Sequence, residues 1–477
     1  MKNDNINFGF ENWRGLSDSE INFKMVAKVS QAFAGFLISH SIDKNNFNER
    51  DILKVGIGYD GRNKSNEFAN LFSRILSGNN IIVFITDKIS TTPALTCFVK
   101  ENNLNAGIMI TAGRLSSEYN GIKFISSYGS ILTKEQLNEI EYFIDKDLIQ
   151  VNEDKIYQTD IRSKYYEQLE SLVDFNSIRE SGINFLIDSM GSAGQQVLEN
   201  LFIINDIKSK TIFKFSENDF SGRIPNPVKE NLQPVIDEIK KSDEFSFAIA
   251  TDGDADRVAI INDKGDILSD NQIALLLTDY LLKIRNESGE IIKSFVHSDR
   301  LNNIADKNKL IEVPVGLRFF SNHILSENFL IGFEGSGSFM WGKGTPYRDG
   351  ILTALVFAEM LAKSGYRKLS DYMDSKQELF NDIYSEGINI KSEKPERLNS
   401  LCENPPDKIG NFSAKSFHSY KELNGELNSL KFNFMGERRW VVIRKSDYYP
   451  LLKLYAEGNS SKEVQEILNE TSLLLVE

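Results

Sequence analysis

The sequence is poor in cysteine, proline and long apolar runs, and it carries no excess of positive charge. Its two cysteines, Cys97 and Cys402, stand far apart without metal-ligand spacing. That excludes a disulfide framework and points to a reducing compartment. No apolar run is long enough to span a bilayer, and the stretch Met1 to Asn7 is polar, without a signal-peptide core. A cytoplasmic, membrane-free protein is the expectation. With only 10 prolines and a hydrophobic share of 41%, the chain has a globular composition rather than a disordered one. The formal net charge of −13 argues against nucleic acid or an anionic membrane as principal partner. Any phosphate must therefore be met by local clusters of Arg and Lys. At 477 residues the chain is too long for one core, and about three or four domains are expected.

What is present is a repeating texture. Lys54 to Gly58 is a short apolar run, followed by a helical stretch, Ser65 to Leu76. The run Ile81 to Ile85, a helix around Ala94 to Glu101, and Ala106 to Ile110 come next. The pattern restarts at Phe185 to Ile187, with Gln195 to Phe202 as helix, and again at Phe245 to Ala250. A third round takes in Ile273 to Ile284, Ile291 to Val296, Leu330 to Phe333 and the helix Gly350 to Ser364. Strands alternating with helices at this interval imply largely parallel sheets covered on both faces. After about Ile388 the texture changes. Trp440 to Arg444 and Leu451 to Tyr455 read as strands before a final helix, Ser461 to Glu470, which suggests a smaller α+β domain. The expected boundaries are 1–152, 153–265, 266–385 and 386–477. Loops after the apolar runs, beginning at Tyr59, Thr111, Thr251 and Glu334, should gather at strand carboxyl ends, where open parallel sheets bind ligands.

One of those loops carries concentrated chemistry. Thr251 to Arg257 reads Thr-Asp-Gly-Asp-Ala-Asp-Arg, placing Asp252, Asp254 and Asp256 between two apolar runs. Three carboxylates on a tight loop suit a hard, oxygen-seeking cation, Mg²⁺ first, which leaves positions for phosphate or water. Gly253 lets the backbone pass without a Cβ clash. The plain alternative is a solvated acidic turn.

Further motifs resemble one family, the α-D-phosphohexomutases, in their order along the chain. Phe8-Gly-Phe-Glu-Asn-Trp-Arg-Gly15 is similar to the family opening FGTSGWRG, and Gly58-Tyr-Asp-Gly-Arg62 to GYDTR. Phe220 to Pro227 resembles FGGxxPEP, the aspartate loop matches DGDADR, and Val313 to Phe319 is similar to TPVGFKY. Gly332 to Gly337 resembles GGEESG, and Arg348 to Ile351 matches RDGI. The resemblance implies three related α/β/α domains with mixed, largely parallel sheets and a C-terminal α+β domain around a central cleft. It implies transfer of a phosphoryl group between C1 and C6 of a hexose through a phosphoserine and Mg²⁺. Carried over by motif, Arg14, Lys123 and Arg257 fall at catalytic positions. Glu334, Ser336, Arg348, Arg444 and Ser446 fall at positions for the phosphorylated hexose, and Asp252, Asp254 and Asp256 at the metal. From the residues alone, Lys123 also reads as a surface lysine after a turn, and Arg14 as a packing partner of Trp13.

The chain departs from the family at the decisive loop. Where the family reads TASHNPPEYNGIK, this chain has Thr111-Ala-Gly-Arg-Leu-Ser-Ser-Glu-Tyr-Asn-Gly-Ile-Lys123. Gly113 stands at the phosphoserine position, and Arg114 at the histidine. Glycine has no side-chain oxygen to carry a phosphoryl group. Ser116 and Ser117 are the nearby hydroxyls; in an extended loop they would lie roughly 10–14 Å further along. Arg114 reads either as an exposed loop arginine or as a cation for a ligand phosphate. The C-terminal phosphate loop, RPSGTEP in the family, is Arg444-Lys-Ser-Asp-Tyr-Tyr-Pro450, and Gly335 replaces the second glutamate of the sugar loop. The expectation is a divergent homologue that binds a phosphorylated hexose of the glucose or mannose type without ordinary mutase turnover, a pseudoenzyme. The alternative is an active phosphoglucomutase, phosphomannomutase or related phosphosugar-processing enzyme with another nucleophile or altered chemistry.

Overall fold

A computed structural model of the chain describes residues 6, 8–42, 52–194, 196–215, 218–305, 309–391, 397–422, 424–446 and 451–476. The chain divides into two compact units. One comprises Met1–Leu268, Ser321–Phe329 and Ser336–Asp374; the other comprises Ser269–Phe320, Leu330–Gly335 and Ser375–Glu477.

The first unit opens with β1 (Asn12–Leu16), α1 (Phe23–Ile42), β2 (Lys54–Tyr59), α2 (Ser65–Gly78), β3 (Ile82–Thr86) and α3 (Thr92–Glu101). It continues with β4 (Ala106–Ile110), β5 (Tyr119–Ser126), α4 (Lys134–Tyr142) and β6 (Ile156–Thr159). The sheet order is β1-β5-β4-β2-β3-β6. The four strands β4, β2, β3 and β6 run parallel, whereas β5 is antiparallel to both β4 and β1. Phenylalanines fill the space beneath this sheet: Phe33, Phe68, Phe72 and Phe124 are all fully buried. Each such side chain is worth about 1.5–3 kcal/mol on burial. Helix α3 starts where Thr91 accepts from the Ala94 N–H at 3.2 Å and Pro93 presets the first turn. Helix α1 and strand β5 have no counterpart among the expected elements. Lys123 lies on β5, so it is buried in a sheet rather than exposed after a turn.

Next come α5 (Ser163–Leu172), α6 (Phe175–Ser181), β7 (Phe185–Asp188), α7 (Val197–Ile204), β8 (Ser209–Ile212), α8 (Gln233–Ile239), β9 (Phe247–Thr251) and β10 (Val258–Asn262). Their sheet has the order β10-β9-β7-β8, with β7 parallel to β8 and β9, and β10 antiparallel to β9. The aspartate loop is thus the connection between β9 and β10.

The elements α9 (Asp270–Lys283), β11 (Glu290–Ser294), β12 (Leu310–Val313), α10 (Leu317–Ile324), β13 (Phe329–Gly335), β14 (Ser338–Trp341) and α11 (Gly350–Ser364) follow. β11 pairs in parallel with β12. Two short helices, α12 (Leu369–Ser375) and α13 (Gln377–Phe380), lead to the last part of the second unit. There β15 (Tyr384–Lys391), α14 (Arg397–Glu403), β16 (Lys408–Ile409), β17 (Phe412–Lys421), β18 (Leu427–Phe434), β19 (Trp440–Lys445), β20 (Leu451–Gly458) and α15 (Ser461–Val476) form an antiparallel sheet, β15-β20-β19-β18-β17-β16, with two helices. Leu430, Phe432, Ile443 and Leu454 of its strands pack with Ile467 and Leu468 of α15. The fold is therefore three α/β/α domains followed by an antiparallel C-terminal domain.

Candidate active site

The aspartate loop is anchored by what precedes and follows it. β9 is buried along its whole length and delivers Asp252, while Ala255 takes a left-handed turn at φ 59°. Gly253 is required for a different reason than turning. A Cβ there would sit 2.1 Å from the Gly113 carbonyl oxygen, so only glycine lets the two loops meet. All three aspartates are at most 3% exposed, and one oxygen from each lies within 4.8 Å of the others.

Lys123 answers that negative charge. Its Nζ donates to Asp254 Oδ2 at 2.5 Å and to Asp256 Oδ2 at 2.8 Å, and it stands 5.4 Å from the ring centre of Tyr347. The register brings it there: β5 puts Lys123 opposite Asn12 on β1 and Met109 on β4. Thr92, at the start of α3, donates its hydroxyl to Asp254 Oδ2, and its N–H donates to the Asp254 carbonyl at 3.1 Å. Burial pushes the Lys123 ammonium down, but the carboxylates of Asp254 and Asp256 outweigh it and hold the group well above the usual lysine range. Burial, then the charges of Asp256 and Asp254, pushes the Asp252 carboxyl well up. Burial also works against Asp256, yet Lys123, Arg348 and Arg257 together hold it below the usual carboxylate range.

Lys123, Arg257 and Arg348 offset part of this charge, yet two carboxylate oxygens are left without a partner. Asp252 Oδ2 and Asp254 Oδ1 are buried without a hydrogen-bond partner among the described residues. Buried polar atoms are normally paired, and two orphaned carboxylate oxygens on one loop fit a hard divalent cation. Asp252, Asp254 and Asp256 would hold it, and it would neutralise charge on a phosphoryl group placed beside it.

Gly113 is pinned next to this loop. It adopts φ 58°, and a Cβ built on it would lie 3.3 Å from Asp254 Oδ1 and 3.1 Å from Arg14 Nη2. The loop beyond it is not extended. Arg62 gathers it, donating from Nη2 to the carbonyls of Gly113 at 2.5 Å and Leu115 at 2.7 Å. From Nη1 it donates to the carbonyls of Ser116 at 2.6 Å and Tyr119 at 3.0 Å. The guanidinium is held by Asp60, which accepts from its Nε at 2.9 Å and also accepts from the hydroxyls of Ser65 and Thr111. Thr111 Oγ1 in turn accepts from the Gly113 N–H at 2.9 Å.

Other positions expected from sequence fall as follows. The Arg257 N–H donates to Asp252 Oδ1 at 3.1 Å, and its Nη1 donates to the Ser336 carbonyl at 3.0 Å. Ser336 is exposed, at φ 56°. Arg348 grips Glu11 with both terminal nitrogens, each at 2.9 Å, and lies 3.9 Å from Asp256. The first unit therefore brings together Arg14, Gly113, Lys123, the three aspartates, Arg257, Ser336 and Arg348. In the second unit, Glu334 is buried at the end of β13, its carbonyl accepting from Ser294 Oγ at 2.6 Å. Arg444 is buried on β19, and the Ser446 N–H donates to the Leu451 carbonyl at 3.0 Å. Asp447, Tyr448, Tyr449 and Pro450 lie outside the described residues. Sequence reasoning gave no role to Asp60, Arg62, Thr92, Glu11 or Tyr347. Asp60 and Arg62 were signalled by the motif they sit in; Thr92 carried no signal.

Comparison with known proteins fits this geometry. Three models, "Phosphoglucomutase/phosphomannomutase, alpha/beta/alpha domain" I, II and III, match residues 5–149, 163–265 and 269–380 in that order. The chain belongs to this family, the α-D-phosphohexomutases. It is 26% identical to the phosphoglucomutase/phosphomannomutase of Thermococcus kodakarensis over 98% of both chains. It is 25% identical to a phosphoglucosamine/phosphogalactosamine mutase of Sulfurisphaera tokodaii over 97% of both. A solved phosphoglucomutase/phosphomannomutase family protein from Burkholderia thailandensis covers 100% of this chain and 98% of its own at TM-score 0.84, with 17% identity, which speaks to fold alone.

Proposed function

We propose that the chain binds a phosphorylated hexose beside a Mg²⁺ held by Asp252, Asp254 and Asp256, without phosphoserine-dependent mutase turnover. One observation carries the reading: the residue that faces both Arg14 and Asp254 Oδ1 is Gly113, which offers no hydroxyl at that point. Phosphoryl transfer rests on positioning and charge stabilisation, and the charged groups around the aspartate loop support the reading. Arg14, Lys123 and Arg257 supply positive charge around the loop, and Lys123 is placed to hold a proton between ligand and aspartates. Ser336 in the first unit, and separately Glu334, Arg444 and Ser446 in the second, keep the residue types that the family motifs use for the sugar hydroxyls and the distal phosphate. Arg348 acts through Glu11 and Asp256. What the site has lost is the atom that stores the phosphoryl group between the two halves of an isomerisation.

Ser116 is a poor substitute, because its own carbonyl and those of Gly113, Leu115 and Tyr119 are tied to Arg62. Moving its hydroxyl to the aspartates would break that arrangement, and attack geometry tolerates about an ångström of error. The test is incubation of purified protein with glucose 1,6-bisphosphate and Mg²⁺, read by intact mass and by a coupled assay for glucose 6-phosphate formed from glucose 1-phosphate, beside thermal unfolding with and without hexose phosphates. The expected result is a thermal shift with hexose phosphates, no covalent phosphate and no turnover. Turnover with phosphate on Ser116 or Ser117 overturns the reading, and turnover without an adduct replaces it with altered chemistry.

A further inference from the structure

We propose that a phosphate group not attached to the chain binds beside Gly113, held by Arg14. It is either a free phosphate ion or a second phosphate carried by the sugar. The proposal rests on the hexose phosphate reading above and adds a second anion to it.

Charge pairing is the first argument. Around the aspartate loop, Lys123 bonds Asp254 and Asp256, Arg348 bonds Glu11, Arg62 bonds Asp60, and Arg257 lies 3.8 Å from Asp256. Arg14 has neither a carboxylate nor a hydrogen bond among the described residues. Its Nε is enclosed, but its terminal nitrogens are open to solvent. Arg14 also repels the neighbouring Lys123 and Arg62 cations. An anion placed at its open end offsets that repulsion.

Space is the second. Arg14 lies on β1 opposite Gly121 of β5, where a Cβ would come within 2.8 Å of its Cγ, so the glycine lets the arginine stem lie against the sheet. At the far end, Nη2 is 3.1 Å from the point where residue 113 would carry a Cβ, and Asp254 Oδ1 is 3.3 Å from the same point. Glycine thus leaves the room of a side chain beside an open guanidinium. The loop is held out of that room from both sides. Arg62 bonds the Gly113 carbonyl at 2.5 Å, and Thr111 Oγ1 accepts from its N–H at 2.9 Å.

The neighbours select the anion. A guanidinium fork matches the oxygens of a phosphate. Asp254 Oδ1 repels an anion while it is bare, and a divalent cation on the aspartates reverses the sign. Hard cations take phosphate oxygens readily, so phosphate and metal should bind together.

The experiment titrates inorganic phosphate into the full chain with Mg²⁺, by calorimetry. Wild type should bind. Arg14→Gln, which removes the cation, and Gly113→Asp, which fills the room with a carboxylate, should each weaken binding by about tenfold or more, the scale of one charge-assisted hydrogen bond. Aspartate is among the residues that tolerate a positive φ. Arg14→Lys should keep part of the affinity. A second arm compares glucose 1,6-bisphosphate with glucose 6-phosphate. A tenfold preference for the bisphosphate, lost in Arg14→Gln, marks a place that also takes a phosphate borne by the sugar. Equal binding of the two sugars beside uptake of inorganic phosphate marks one for the free ion. The proposal falls if wild type neither binds inorganic phosphate nor favours the bisphosphate, or if either folded variant matches wild type in both arms. The hexose reading then still stands where glucose 6-phosphate binds, and falls as well where it does not.

Discussion

The Arg62 guanidinium donates to the Gly113 carbonyl oxygen at 2.5 Å, and that one bond ties a buried ion pair to the loop facing the aspartates. Arg62 spends its nitrogens on four loop carbonyls and Asp60. A lysine has the charge but not the planar fork. Arg62→Lys should therefore release residues 113–119, seen as faster amide exchange there, and lower the stability by about 1–3 kcal/mol for each loop carbonyl left buried and unpaired. Unchanged exchange across that loop would show that the guanidinium does not organise it.

Gly113→Ser tests the missing hydroxyl directly. The left-handed backbone at φ 58° should cost about 1–2 kcal/mol for a residue with a Cβ. The neighbours are tight but not forbidding, at 3.1 Å and 3.3 Å from the new Cβ. The variant should fold, accept phosphate from glucose 1,6-bisphosphate on residue 113, and gain mutase turnover over wild type. A folded variant with no adduct by mass spectrometry would show that the loop does not deliver a hydroxyl to the metal position.

Lys123 is the internal counter-charge of the aspartates, bonded to two of them. Replacing it with methionine should destabilise the metal-free protein by about 3–5 kcal/mol, because buried carboxylates lose their partner. Mn²⁺ should recover more stability in Lys123→Met than it adds to wild type, and none in Asp252→Asn combined with Asp254→Asn. Thermal unfolding with and without Mn²⁺ decides this, since a ligand bound only by the folded state raises the melting temperature. An equal Mn²⁺ effect in all three proteins would remove the aspartates as the metal site.

Asp349 gives a pH signature of its own. Burial pushes its carboxyl up to about 6, against the N–H groups of Leu352 and Ile351 and the Tyr165 hydroxyl that hold it down. In the unfolded chain the group ionises near its ordinary value of about 4. The folded state thus holds the proton more tightly. Its contribution is fully present below about pH 4 and is lost as pH rises through about 6, a loss of about 3 kcal/mol for two pKa units. An asparagine side chain in its place would keep an acceptor for Leu352 and Tyr165 without the charge. The stability of Asp349→Asn relative to wild type should rise between pH 4 and 6 and then level off, as measured by urea unfolding. A difference that stays flat across that range would contradict the assignment.

Local pattern was enough for much of this molecule. The strand before Asp252, the strand after Arg257 and the helix Gly350–Ser364 follow from apolar runs and turn residues close together in the chain, and they are where the sequence puts them. The α/β class and the convergence of three aspartates on one loop are legible for the same reason, since both depend on neighbours in sequence. Lys123 is the opposite case. Its neighbours suggest a lysine after a turn, and only the antiparallel pairing of β5 with β4 and β1 buries it and carries it to Asp254, 131 residues away. Thr92, Arg62 and Glu11 likewise act on partners remote in the chain. The sequence by itself determined which chemical groups exist and what Gly113 lacks. Tertiary structure decided which charges share one desolvated space, because burial and distance, the two quantities that set their energies, belong to the folded chain.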